Sequence, residues 1–265
     1  MTRQTATQLT FHAKRPILEV AWAPDSKHLV FGADSLSGDD IKDGAGLFWA
    51  RADAAAPPVR LLSDARLSLR PQSISADGHT LIYAVSPGGF PDLLTLPLDL
   101  TDPEHPKPGP PQPYLTTPNL VEVDGALSPD GKWMAYASSE STREEVFVRP
   151  YPLGSNGGGK FHISSDGGKF PRWSPNGHEL FFLGGDDHIM VTDYHVKGED
   201  FETTKPRHWC ETPIQVTGVI RSFDMAPGGK RFVIQPQVGV SKAPARVSIV
   251  FNFFEELRRK VPVGK

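Results

Sequence analysis

The sequence predicts an all-β protein: a β-propeller of five repeats, each of about four antiparallel strands, followed by a short C-terminal helix. Three observations carry this reading. The 25 Gly and 26 Pro among 265 residues disfavour long helices and favour short strands joined by turns. A turn-bearing unit recurs five times, as "AWAPDSKHLVF" from Ala21, "SISADGHTLIY" from Ser73, "ALSPDGKWMAY" from Ala126, "RWSPNGHELFF" from Arg172 and "DMAPGGKRFVI" from Asp224. The copies, centred on Pro24, Ala76, Pro129, Pro175 and Pro227, recur at about 50 residues, the length of one small sheet and its turns. A fragment of a ring of six or more blades is the alternative architecture.

The register holds column by column. Two residues before the Pro column stand Trp22, Ile74, Leu127, Trp173 and Met225, all large and apolar. After it come Asp25, Asp77, Asp130, Asn176 and Gly228, then Ser26, Gly78, Gly131, Gly177 and Gly229. A basic column follows (Lys27, His79, Lys132, His178, Lys230), and beyond it three apolar positions ending in Phe31, Tyr83, Tyr136, Phe182 and Ile234. Pro fixes φ for a turn, Asp or Asn bonds the backbone two residues on, and Gly takes the positive φ that a tight hairpin needs. Each unit therefore reads as the turn between a blade's two inner strands. The unalternating apolar triplet is the second strand, covered on both faces by neighbouring blades.

Third strands are predicted at 46–52, 92–98, 145–151, 188–194 and 247–253, and outer strands at "VRLL" (Val59), "QPYL" (Gln112), "KFHIS" (Lys160) and "HWCE" (His208). The fifth repeat has no fourth strand of its own, and "TQLTF" at 7–11 is the candidate to complete it, removing an exposed edge. The propeller is thus assigned to 1–252. Residues 253–265 form the helix and tail, with Asn252 and Glu255 as a capping pair and Glu255–Arg259 as an i,i+4 pair. Phe253, Phe254 and Leu257 share one side of that helix.

These units resemble the WD-repeat-like, TolB-like propeller repeats of bacteria. Leu127–Gly131 ("LSPDG"), Tyr136–Ser141 ("YASSES"), Glu145–Pro152 ("EVFVRPYP") and Val250–Arg259 ("VFNFFEELRR") are most similar to the C-terminal propeller of acidobacterial-type serine/threonine protein kinases. The resemblance implies a parent protein with a kinase domain and a membrane span upstream, and a propeller that senses a ligand outside the cell. The opening "TRQTATQLTF" resembles the middle of a family blade, so a fragment or a truncated relative is expected. The chain itself has no "VAIK", "HRD" or "DFG", so the family's catalysis is not in it.

Charge and composition narrow the partners. A net charge of -3 offers no basic surplus for nucleic acid. The lone Cys210 cannot form an internal disulfide, and no apolar run reaches the roughly 20 residues of a membrane span. The chain reads as soluble, cytoplasmic by default and extracytoplasmic if anchored through a kinase; no cofactor is expected and the oligomeric state is left open.

Several stretches resemble known sites, and each lacks a residue that its site requires. "GSNGGGKF" (154–161) matches G-x-x-x-x-G-K, but Phe161 stands where Ser or Thr would hold magnesium and no helix follows, so a hairpin loop is expected. "SGDDIKDG" gathers Asp39, Asp40 and Asp43, the best candidates for a metal, yet Ile41 occupies a ligand position and no glutamate closes the loop. "HWC" puts His208 near Cys210 without a third group, no G-x-S-x-G elbow occurs, and the nine histidines show no metal-ligand spacing such as H-E-x-x-H.

A propeller's remaining asset is its central channel. Glu19, Arg70, Gln72, Glu122, Asp124, Lys169, Arg172, Arg221 and Asp224 precede or enter the repeat units and are expected at its mouth, where mixed signs suit a small polar ligand, a peptide or a protein. The bland reading is that they pair with one another or with water. Two function classes follow: a non-catalytic binding, sensor or scaffold module, and a channel-based hydrolase or lyase, which a bound metal or a channel carboxylate with a strongly raised pKa would favour.

Overall fold

The computed structural model describes residues 19–33, 45–64, 68–86, 89–154, 157–216, 221, 223–226, 229 and 231–234. The expected strand at 7–11, the third strand of the fifth repeat at 247–253, the helix at 253–265 and the acidic cluster at 39–43 lie outside the described residues.

Each of the first four repeats folds as one antiparallel meander. The first blade is β1 (Val20–Trp22), β2 (His28–Ala33), β3 (Ala45–Arg51) and β4 (Val59–Asp64), hydrogen-bonded in chain order. The second runs β5 (Ser68–Ile74), β6 (Thr80–Ser86) and β7 (Asp92–Asp99), and its outer edge is split into β8 (Lys107–Pro108) and β9 (Gln112–Leu115), both paired with β7. Pro108, Pro110, Pro111 and Pro113 have no N–H to donate, so a continuous outer ladder is not available there.

The third blade is β10 (Glu122–Leu127), β11 (Trp133–Ser138), β12 (Glu145–Pro150) and β13 (Phe161–His162). The fourth is β14 (Gly168–Trp173), β15 (Glu179–Gly184) and β16 (Ile189–Lys197), with β17 (Asp200–Thr203) and β18 (Arg207–His208) both on β16. The predicted outer strand is β18; β17 is an addition, a hairpin extension that turns at Gly198 with φ 65°. Of the fifth blade, β19 (Phe223–Met225) and β20 (Phe232–Ile234) are described.

The repeated turn has the predicted chemistry. In all five copies the N–H at the Ser/Gly column donates to the carbonyl three residues back, from Ser26 to Ala23, Gly78 to Ser75, Gly131 to Ser128, Gly177 to Ser174 and Gly229 to Ala226. That residue has positive φ each time, between 57° and 82°. Asp25, Asp77, Asp130 and Asn176 each accept the N–H two residues on, at 2.8–3.1 Å. The side chain thus replaces a backbone partner that the turn cannot supply.

The core lies between blades. Leu81, Tyr83 and Leu96 pack with Val30, Leu47 and Trp49 in the first seam, and Met134 and Tyr136 with Ile82 and Leu93 in the second. Trp173 and Phe182 pack with Ala135 and Val148 in the third, and Phe223 with Phe181 and Leu183 in the fourth. The second strands β2, β6, β11 and β15 are buried on both faces, as their apolar triplets require.

The innermost strands β5, β10 and β14 each carry a bulge, between Pro71 and Ser73, Val123 and Ala126, and Lys169 and Arg172. At the bulge Asp124 and Phe170 adopt φ of 61° and 54°, a region that Asp tolerates and a bulky aromatic does not favour. The bulge bends the strand and re-aims its side chains. It therefore sets what faces the neighbouring blades near the axis.

Candidate functional site

Five of the residues expected at the channel are brought together. Glu19 immediately precedes β1, Arg70 and Gln72 lie on β5, Asp124 on β10, and Arg221 just before β19. Gln72 Nε2 donates to Glu19 Oε2 at 2.6 Å, and Gln72 Oε1 accepts the Asp124 N–H at 2.8 Å. Asp124 Oδ2 in turn accepts the Phe170 N–H at 3.1 Å. A polar chain thus links the first four blades side by side. Arg221 Nη2 donates to the Val20 carbonyl at 3.4 Å, which draws the lead-in of the fifth blade to the first.

The electrostatics are dominated by burial. Glu19 is pushed up to about 7, first by burial and then by the like charge of Asp124, against the pull of Arg70, Arg221 and the Gln72 hydrogen bond. Asp124 is pushed up to about 6 by burial and by Glu144, against the Phe170 N–H, Arg221 and Arg70. Two carboxylates here hold protons at a pH where exposed ones do not. Groups of this kind can grip a ligand in either protonation state or exchange a proton with it.

The remaining candidates fall into three places. Arg172 Nε and Arg221 Nη2 both lie 3.9 Å from the Asp224 carboxylate, so Asp224 bridges the fourth and fifth blades. Lys169 pairs with Glu144 at 2.5 Å and lines a cleft of about 500 Å³ with Arg143, Asp166, Asp187 and Val216. Glu122 turns away from the channel group: its buried carboxylate accepts the Thr117 N–H at 3.0 Å and the Thr117 hydroxyl at 2.8 Å, closing the loop before its own strand.

The other singled-out stretches behave as local structure. Lys160 pairs with Glu140 and lies 5.3 Å over the Phe147 ring, so no phosphate-directed lysine is held in that loop. Cys210 Sγ donates to the Thr212 carbonyl at 3.6 Å. His208 instead bonds Asp186 at 2.8 Å, and with His188 the two make a grouping that no spacing in the sequence discloses. Among the described residues no helix is long and apolar enough to cross a membrane.

No family model matches the chain, and no curated protein matches it. Among solved structures, TolB from Acinetobacter baumannii is similar to 84% of this chain, with a TM-score of 0.55 and 16% identity. The match covers 49% of that protein, so the chain spans about half its length. The putative TolB of Agrobacterium tumefaciens is similar over 73% of this chain and 82% of its own, with TM-score 0.44 and 18% identity. The periplasmic gluconolactonase of Pseudomonas aeruginosa is similar over 74% of this chain and 58% of its own, with TM-score 0.45 and 16% identity. At such identity it is the fold that is shared, and the TolB likeness carries it: the chain is an all-β propeller of the TolB type.

Proposed function

We propose that this chain is a non-catalytic binding module that takes a small polar ligand, or the end of a peptide or protein, at the mouth of the propeller channel. One observation supports this above the others: Glu19, Gln72 and Asp124 are tied blade to blade, with Arg70 and Arg221 beside them. Both charge signs are thereby presented together, with Arg70, Gln72 and Asp124 on strands and Glu19 and Arg221 just ahead of strands, and the hydrogen bonds that already hold Glu19, Gln72 and Asp124 lower the ordering cost of binding. Thermal-shift screening of the chain against peptides, sugars, nucleotides and metals tests it. Stabilisation by one class that disappears in Arg221→Ala supports the reading, and stabilisation that survives in Arg221→Ala and Glu19→Gln alike overturns it.

A second reading, acid–base chemistry in the channel as in a hydrolase or lyase, is favoured by Glu19 standing at about 7, the value a general base needs. Once a ligand is found, turnover separates the two. Glu19→Gln that abolishes turnover but keeps affinity favours the enzyme, and a ligand returned unchanged favours the binding module.

A link to a kinase rests on the resemblance of 127–131, 136–141, 145–152 and 250–259 alone. An in-frame kinase reading frame directly upstream would support it. The division into a propeller at 1–252 and a tail at 253–265 is likewise a proposal, and limited proteolysis releasing a stable propeller core would support it.

A further inference from the structure

We propose that Asp186, His188 and His208 form a binding site for a divalent first-row transition ion of the Zn2+ kind. The three side chains come from two separate elements. Asp186 and His188 sit in the turn between β15 and β16, and His208 is on β18, brought alongside by its pairing with Met190. Their donor atoms all lie within 4.8 Å of one another.

The spacing is close to that of a shared ion, and His188 Nδ1 also meets the Asp186 carbonyl oxygen at 2.9 Å, a contact that an ion would replace. Two donors held at about 2.1 Å from one metal with angles of 90–110° are themselves about 3.0–3.4 Å apart. Asp186 Oδ2 lies 2.8 Å from His208 Nε2 and 3.3 Å from His188 Nδ1. The two rings are stacked at 4.5 Å with an interplanar angle of 12°, each with a nitrogen toward that one carboxylate oxygen; an imidazole binds a metal near its ring plane, so these partly exposed rings would turn out of the stack to share an ion.

The segments that carry the donors are held before any ion arrives. The turn is closed by the Asp187 N–H on the Gly184 carbonyl at 3.2 Å and the Gly184 N–H on the His188 carbonyl at 2.9 Å. Asp186 Oδ1 accepts the His188 N–H at 3.2 Å, which leaves Oδ2 to face the rings. The Trp209 N–H on the Ile189 carbonyl at 2.8 Å fixes β18, and with it His208, beside β16. Arg207, the one cation adjacent in sequence to His208, is engaged by Asp193 at 3.0 Å.

Two nitrogens and one oxygen select Zn2+, Co2+, Ni2+ or Cu2+ over the oxygen-seeking Mg2+ and Ca2+. Three protein ligands also leave a coordination position open to water or a further ligand. Side-chain exposures of 50%, 19% and 37% for Asp186, His188 and His208 give an ion a way in.

The test uses the full chain, without a histidine tag and stripped with EDTA. Zn2+ is titrated by calorimetry and Co2+ by its visible absorption. One ion per chain is expected, with His188→Asn and His208→Asn each weakening affinity by at least about tenfold. His195→Asn, on an exposed face of β16, should change nothing. Asp186→Asn, which keeps the side-chain shape, gives the same readout should a histidine variant lose its fold. No uptake at millimolar Zn2+, or uptake unaltered in the ligand variants, overturns the site.

Discussion

Gln72 and Glu19 are joined across the seam of the first two blades by a 2.6 Å hydrogen bond, and the other end of the same amide holds the backbone of the third blade at Asp124. The amide and the Asp124 backbone are buried, so water does not readily take the amide's place there. Gln72→Ala should therefore lower the unfolding free energy by about 2 kcal/mol, since it strands the buried Asp124 N–H and takes a donor from the half-buried Glu19 carboxylate. Denaturant titration with an unchanged slope checks it. A loss indistinguishable from that of an exposed Gln would mean that the chain of bonds is not a structural tie.

The same carboxylates give a pH dependence whose sign can be worked out. In the folded state Glu19 keeps its proton up to about 7, whereas its ordinary value is 4.5; Asp124 does so to about 6 against 3.8. Within those windows the folded state binds more protons than the unfolded one, so stability is fully present below the ordinary values and falls as pH rises through the raised ones. Asp77, held low by the Ser75 hydroxyl and the His79 N–H, acts with opposite sign and only in more acid solution. The chain should be less stable at pH 8 than at pH 5, and Glu19→Gln should reduce that difference in unfolding free energy by about 1–3 kcal/mol. Melts of both proteins at the two pH values decide it.

Asp130→Ala isolates the turn from the channel. Asp130 Oδ1 accepts the Lys132 N–H at 3.1 Å and the Ser128 hydroxyl at 2.6 Å, at the exposed end of the third blade. The expected cost is about 1 kcal/mol of stability with ligand affinity unchanged. Gly125→Ala, whose new Cβ would stand 2.6 Å from Ile82 Cγ2 and 3.1 Å from Leu93 Cδ2, should cost more, because a packed seam must open. A Gly125→Ala protein as stable as Asp130→Ala would contradict the close seam.

What the sequence disclosed and what it hid divide along one physical line. The turns were legible because Asp, Gly and the apolar triplet act within eight residues of one another, and a local rule repeated five times reinforces itself. The position of Glu122 before the unit points to the channel, but its carboxylate is taken by the N–H and hydroxyl of Thr117 in the preceding loop, a partner that the repeat columns do not reveal. Bulges have no fixed residue signature beyond a tolerated positive φ, and Phe170 does not meet even that. The grouping of Asp186, His188 and His208 was hidden for another reason: it exists only through the pairing of β16 with β18, while His208 reads in sequence as the neighbour of Cys210.

Trp22 and Trp173 test how far the repeat's equivalence extends to energetics. They fill the same column of the repeat, yet Trp173 is 8% exposed and donates its indole N–H to the Ala126 carbonyl of the third blade at 2.9 Å, whereas Trp22 is 39% exposed. The buried indole also meets Tyr194 and Phe201 edge-on, at 5.0 and 5.8 Å between ring centres. Trp173→Phe removes a bond between blades and leaves the Ala126 carbonyl without that donor, so it should cost about 1–3 kcal/mol. Trp22→Phe gives up mostly solvent-facing surface and should cost less than about 0.5 kcal/mol. Urea unfolding of the two variants side by side measures the difference. Equal costs would mean that Trp22 is held as Trp173 is, and that the column's residue type, rather than the blade packed against it, sets the energy.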